Sequence, residues 1–242
     1  CFNEAQRLKA APFLAFAEDS RKLKLLFIND GSTDNTAEVI KALEDSAPEQ
    51  IFALHLKKNL GKAEAVRYGV LHALGRPCEY IGYWDADLAT PLSAIPQFMK
   101  CFEQDPERKL VCGARVRRMG AHINRHWYRH YPGRVIATII SMILGLPFYD
   151  TQCGAKIMER ALAEQIFTKP FISPWLFDVE LIARIVQASG REEAEKQILE
   201  LPLDSWTDIG DSKIPLSYLP RVPYELLRIY RIYRHTKTWH QR

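Results

Sequence analysis

The chain has 242 residues, 47% of them hydrophobic, 26% charged and 11% aromatic, with 33 Lys and Arg against 29 Asp and Glu. That length allows one α/β domain with a sizeable core, and a formal charge of +4 is too small an excess to point to nucleic acid. Five cysteines (Cys1, Cys78, Cys101, Cys112 and Cys153) are odd in number and never paired as CxxC; this argues against a disulfide framework or a zinc site and for a reducing, cytoplasmic setting.

The chain opens on CFNEAQRL, with no initiator Met, no signal peptide and no preceding strand, so a short N-terminal piece is expected ahead of Cys1. Leu23–Asn29, Ile51–Leu56, Tyr80–Trp84 and Leu110–Gly113 read as strands. Between them Asn35–Ser46, Lys62–Leu74 and Leu92–Phe102 carry apolar residues at helical spacing. The alternation predicts a mainly parallel central sheet flanked by helices, a Rossmann-like α/β class. Asp34 or Asn35 is expected to cap the first of these helices, and Thr90-Pro91 to start the third.

The second half is less regular. A basic helical stretch, Ala121–Arg134, runs into the apolar Val135–Phe148, whose 14 residues fall short of the roughly 20 a bilayer crossing needs. A polar turn, Asp150–Lys156, precedes a helix around Trp175–Ala188, a charged loop (Arg191–Lys196) and a strand at Ile198–Leu203. From Tyr218 to Tyr233 basic residues alternate with Leu, Ile and Tyr. No repeat or linker divides the chain, so 1–242 reads as one domain.

Ligands of such sheets gather beyond the carboxyl ends of the strands, and two polar clusters fall there: Asn29-Asp30-Gly31-Ser32 and Asp85-Ala86-Asp87. Carboxylates one residue apart suit a hard divalent cation, Mg²⁺ or Mn²⁺, with Asp87 as direct ligand and Asp85 through water or sugar; a solvated turn is the alternative. Asp30 can accept an imide N–H or simply turn the chain with Gly31. Asn59-Leu-Gly-Lys62, at a strand-to-helix turn, can bring backbone amides and Lys62 to a phosphate. His122, His126 and His130 recur every four residues, a drifting stripe on a helix. With Arg117, Arg118, Arg125, Arg129, Arg134 and interleaved Trp127, Tyr128 and Tyr131, the segment suits either an anionic membrane interface or a solvated basic face.

CFNEAQRL, FINDGSTDNT, NLGKAEAVRYGV, WDADLATP, GAR, DTQCGAK, WLFDVEL and WTDIGDSKI occur in the order seen in family 2 glycosyltransferases. More narrowly the chain resembles the dolichyl- and polyprenyl-phosphate hexosyltransferase branch, nearest in pattern to the dolichyl-phosphate β-glucosyltransferase type. The resemblance implies a glycosyltransferase A-type fold, a nucleotide-sugar donor such as UDP-glucose, inversion at the anomeric carbon and a lipid-phosphate acceptor. It assigns Asn3 and Glu4 to the nucleoside pocket, Asp30 to the uracil and Lys62 to the nucleotide. Asp85 and Asp87 would hold the metal and diphosphate, with Arg115 near the sugar or phosphates. Gln152 and Lys156 would shape the sugar and acceptor pocket, and Ser212 and Lys213 would cover the diphosphate. Asp178 stands where relatives carry an acidic residue near the acceptor: a general base if the acceptor is a saccharide or glycolipid hydroxyl, an orienting partner of a basic group if it is a phosphate. Asn29 stands where a first Asp is frequent, and GAK replaces GFK. The unpaired cysteines point to a cytoplasmic enzyme, and the mixed basic and aromatic residues of 117–134 and the C-terminal tail to peripheral contact with the cytoplasmic face of a membrane. A nucleotide-sugar-binding module without turnover is the rival from another class.

Overall fold

The computed structural model describes residues 1–20, 22–124, 127–209, 218 and 220–234, with side chains from 134 onward in the helix that starts at Trp127. Helix α1 (Ala10–Asp19) precedes β1 (Leu25–Asn29), α2 (Thr36–Ser46), β2 (Ile51–His55), α3 (Lys62–Leu74) and β3 (Tyr80–Trp84). A 3₁₀ turn (Leu92–Ala94) leads into α4 (Ile95–Gln104), β4 (Leu110–Ala114), β5 (His122–Asn124) and α5 (Trp127–Leu144). Then come β6 (Ala155–Glu159), α6 (Arg160–Phe167), α7 (Phe177–Ser189), α8 (Arg191–Gln197), β7 (Ile198–Pro202), β8 (Ser205–Thr207) and α9 (Arg221–Tyr233).

Strands β1 and β2 pair in parallel, and a four-stranded sheet runs in the order β3-β6-β4-β7. In it β6 lies antiparallel to both β3 and β4, while β4 and β7 are parallel; β5 and β8 form a small parallel pair. Successive side chains leave a strand on opposite faces, and the core divides accordingly. Ile81, Tyr83, Leu110, Cys112 and Met158 join one apolar cluster with α5, α6, α7 and α9. Val111, Ala155 and Ile157 join the other with α1, α2 and α4. All five residues of β4 are buried, as expected for a central strand covered on both faces. The result is a three-layer α/β/α domain to which both halves of the chain contribute strands. Cys78, Cys101, Cys112 and Cys153 are unbridged thiols, and no helix among the described residues is long and apolar enough to cross a membrane.

Several elements differ from the sequence reading. Strand β6 was hidden because its pattern, AKIME, is broken by Lys156, a cation with no exposed surface. Arg191–Lys196 is not a loop but belongs to α8, with Glu192 and Glu193 in the first turn and Lys196 in the last, the arrangement a helix dipole favours. His122 lies on β5, so it cannot share a helical stripe with positions 126 and 130; His126 lies outside the described residues, as does the side chain of His130. Asp34 caps α2: its Oδ1 accepts from Thr36 N at 3.1 Å, whereas Asn35 makes no side-chain cap bond. Pro91 precedes the 3₁₀ turn rather than an α-helix, and the Thr90 carbonyl accepts from the Trp84 indole at 2.7 Å.

Candidate active site

Asp30, Asp85 and Arg115 each stand one residue past the end of β1, β3 and β4. Strands β3 and β4 both run antiparallel to β6, so they point the same way and deliver Asp85 and Arg115 to one sheet edge.

On the β1 side, residues 1–8 are tied to the loop that follows that strand. Cys1 N donates to Ile28 O at 2.7 Å, and Asp30 N donates to Cys1 O at 2.8 Å. Asn3 takes a left-handed φ of 52°, which its short amide tolerates, and its Oδ1 accepts from Thr33 N at 2.9 Å. Glu4 N donates to Thr36 Oγ1 at 2.8 Å while its buried carboxylate pairs with Arg7 at 2.8 Å. Asp30 is buried and accepts from Leu60 N (2.8 Å) and Gly61 N (3.0 Å). That bracket fixes the turn into α3, and Gly31 (φ 65°) allows it: a Cβ there would lie 2.4 Å from the Lys58 carbonyl carbon.

The turn delivers Lys62, the first residue of α3, whose Nζ lies 2.6 Å from Asp85 Oδ1. Burial pulls the Lys62 ammonium down in pKa, but Asp85 and Asp178 outweigh it and the net shift is upward. Asp85 is held from behind: its N donates to Gly154 O at 2.8 Å, and Leu88 N donates to its carbonyl at 3.1 Å. Its carboxylate occupies the space a Cβ on Gly154 would fill, 1.9 Å from Oδ2. Leu88 takes φ 55°, an uncommon conformation for a bulky side chain, directly after the acidic pair. Asp87 Oδ1 accepts from Ala89 N at 3.0 Å. Burial raises the Asp87 carboxyl above its ordinary range, and neighbouring Asp85 adds to the shift.

Arg115 is clamped by Asp150 through Nε at 2.5 Å, Nη2 at 2.7 Å and its backbone N at 3.1 Å. Asp150 is in turn placed by Glu200 of β7, which accepts from Tyr149 N (2.6 Å) and Asp150 N (2.7 Å). Beneath this layer, Lys156 Nζ meets Asp178 Oδ1 at 2.5 Å and donates to Thr151 O (3.0 Å) and Cys153 O (2.7 Å). The Tyr83 hydroxyl donates to the same Asp178 oxygen. Burial works against the Lys156 ammonium, but Asp178 outweighs it and raises its pKa. Burial first, then Asp178, pushes the Tyr83 phenol well up. Thr151 Oγ1 and Gln152 Nε2 are buried with no hydrogen-bond partner.

Most of the expected site residues therefore converge on one edge. One placement departs from expectation. Lys156 is fully buried and cannot line a sugar pocket directly; it organises the 151–154 loop instead. Asp178 is 3% exposed, and its Oδ1 accepts from Lys156 and from the Tyr83 hydroxyl, so of the two roles the sequence left open it makes the contacts of an orienting partner of a basic group. Ser212 and Lys213 lie outside the described residues. The sequence reading missed Tyr83, Asp150, Gly154 and Glu200. A lone acid in the otherwise apolar ILELP strand was a signal for Glu200, and Asp150 opened a polar motif, but nothing marked Tyr83 within an apolar run.

Asp85 and Asp87 supply hard carboxylate oxygens, and no group of three or more His, Cys, Asp or Glu among the described residues could enclose an ion. That donor set fits a Mg²⁺- or Mn²⁺-type site completed by phosphate oxygens and water.

This arrangement, on a three-layer α/β/α domain, is that of a glycosyltransferase A-type fold. The chain matches glucosyl-3-phosphoglycerate synthase from Mycobacterium tuberculosis, solved with Mn²⁺ and UDP-glucose, with a TM-score of 0.63 over 95% of this chain and 74% of that one at 14% identity. Mannosyl-3-phosphoglycerate synthase from Rubrobacter xylanophilus gives 0.66 over 97% and 71% at 13% identity. At such identities the likeness speaks to the fold alone. The profile of glycosyl transferase family 2 matches residues 1–167, and the chain belongs to that family. It is 33% identical over 220 residues to a dolichyl-phosphate β-glucosyltransferase of Trichomonas vaginalis, covering 89% of this chain. It is 29% identical over 213 residues to the Dictyostelium discoideum protein of the same name, covering 85% of this chain. The chain spans 62% of the length of each of these relatives.

Proposed function

We propose that the chain is an inverting hexosyltransferase that moves glucose from UDP-glucose to a polyprenyl or dolichyl phosphate. Membership of glycosyl transferase family 2 and the two relatives' names support this reading. The observation that carries it is the acidic pair at the end of β3, bordered by Lys62 and within electrostatic reach of the Arg115–Asp150 pair. A divalent cation on Asp87 and Asp85 would neutralise charge on the departing diphosphate.

The chain's own residues do the rest. Asn3, Glu4 and Asp30 border the nucleoside end, with Asp30 buried behind the turn that carries Lys62. Lys62 brings a positive charge to the phosphates, and Arg115 adds a second, oriented by Asp150; charge that develops on the leaving group then meets cations already gathered there. Attack from the face opposite the diphosphate inverts the anomeric carbon. A phosphate acceptor is already anionic and needs no base, which agrees with an Asp178 that is engaged by Lys156 and Tyr83.

Peripheral contact with a membrane surface has support as well. Val135, Ile139 and Met142 are exposed at one-turn spacing on α5, and Tyr224, Leu227 and Ile232 are exposed on α9 beside Arg221, Arg228 and Arg231. Aromatic, aliphatic and basic side chains together suit an anionic interface. The test is incubation with UDP-glucose, Mn²⁺ and polyprenyl phosphate in vesicles. A glucosyl phospholipid of β configuration is expected; failure with every lipid phosphate, alongside transfer to a saccharide hydroxyl that Asp178→Asn abolishes, would replace this reading.

A further inference from the structure

The Lys62–Asp85 pair faces two demands at once. Lys62 Nζ sits 2.6 Å from Asp85 Oδ1, the carboxylate that a cation at the acidic pair would need. An ammonium and a divalent ion cannot both sit against that carboxylate without strong repulsion. Both partners are about one-third exposed, 34% and 37%, so a ligand can reach them from solvent.

The two differ in freedom. Asp85 is pinned by Gly154 O, by Leu88 N and by the tight space at Gly154 Cα. Lys62 is pinned only at its backbone, through the Asp30 bracket on Leu60 and Gly61, and carries a four-carbon stem. Any exchange of partners therefore moves the Lys62 ammonium and leaves the carboxylate in place. The fully buried Lys156 ammonium adds like charge on the protein side, opposing the Lys62 ammonium there.

We propose that Lys62 is a positioning residue that serves as the internal counter-ion of Asp85 and is exchanged for the divalent cation when a nucleoside diphosphate arrives, its Nζ moving to diphosphate oxygens. This deepens the proposed function and rests on it. The exchange couples the two ligands: the cation binds weakly by itself because it must displace Lys62, and the diphosphate supplies the new partner that makes displacement favourable. Such coupling is reciprocal.

The test is a measurement of Mn²⁺ affinity by electron paramagnetic resonance of free Mn²⁺, with and without UDP, for the wild-type chain, Lys62→Met, Lys62→Arg and Asp87→Asn. Circular dichroism checks folding, and Lys62→Gln stands in if the Met variant is perturbed. Wild type is expected to bind Mn²⁺ about tenfold more tightly with UDP than without it. In Lys62→Met, Mn²⁺ alone should bind about tenfold more tightly than in wild type, the gain from UDP should shrink, and UDP alone should bind more weakly. Lys62→Arg should keep the coupling. Mn²⁺ affinity in the Met and Gln variants that is unchanged or lower without UDP overturns the proposal while leaving the metal site intact. Absence of Mn²⁺ binding in every protein, with or without UDP, or full binding by Asp87→Asn, instead sinks the underlying metal and nucleotide reading.

Discussion

The buried Lys156–Asp178 pair allows a quantitative test. Lys156→Met removes the cation and leaves a carboxylate that is 3% exposed with only the Tyr83 hydroxyl against its Oδ1. Breaking a buried pair from one side costs about 3–5 kcal/mol. Thr151 O and Cys153 O also lose their donor, at about 1 kcal/mol each. For a chain of this length, where 1 kcal/mol corresponds to roughly 2–4 °C, the melting temperature should fall by roughly 10–28 °C. Asp178→Leu should cost a similar amount, by stranding the ammonium. The double variant removes both charges and retains only the lost carbonyl and phenol bonds, about 1–3 kcal/mol. Urea unfolding of the four proteins would give the cycle directly, with constant slope as the check that the unfolded states are comparable. A coupling of at least about 3 kcal/mol is expected. Additive losses, or a Lys156→Met cost below about 1 kcal/mol, would show that the two groups do not form the ionised pair described here.

Three further outcomes are expected. Gly154→Ala drives a methyl into Asp85, so calorimetric affinity for UDP with Mn²⁺ should drop by about tenfold or more with only modest loss of stability; unchanged affinity would mean Asp85 is not needed where it stands. Asp87 has a folded pKa raised by burial and by Asp85, so its contribution to stability is present below its ordinary value and lost as pH rises through the folded one. Asp87→Asn escapes that loss and should melt a few degrees higher at neutral pH while losing Mn²⁺-dependent UDP binding; a lower melting point would contradict this. Glu200 is also raised by burial, despite donation from Tyr149 N and Asp150 N. The same sign applies, so the stability of Glu200→Gln relative to wild type should improve from acid to neutral pH in melts across that range, and a flat or opposite trend would refute it.

The amino-acid sequence determined where the chemistry stands along the chain. Apolar runs ending in Asn29-Asp30 and Trp84-Asp85 locate strand ends, and α3 begins at Lys62 as its spacing required. These signals are local: a strand's periodicity and the polar residue that ends it lie within a few positions of each other. What the charged side chains do there was decided by tertiary structure. Asp30 clamps a turn through amides 30 and 31 residues on, Asp178 is engaged on Oδ1 by Lys156, 22 residues away, and by Tyr83, 95 away, and Lys156 can hold its own loop from within the core only because Asp178 neutralises it there. Strand β6, inserted antiparallel between β3 and β4, could not be read from AKIME, since a buried lysine looks like an exposed one until the carboxylate that neutralises it is in place. Periodicity records which face a residue takes, but only the assembled core determines which charges can be paired there.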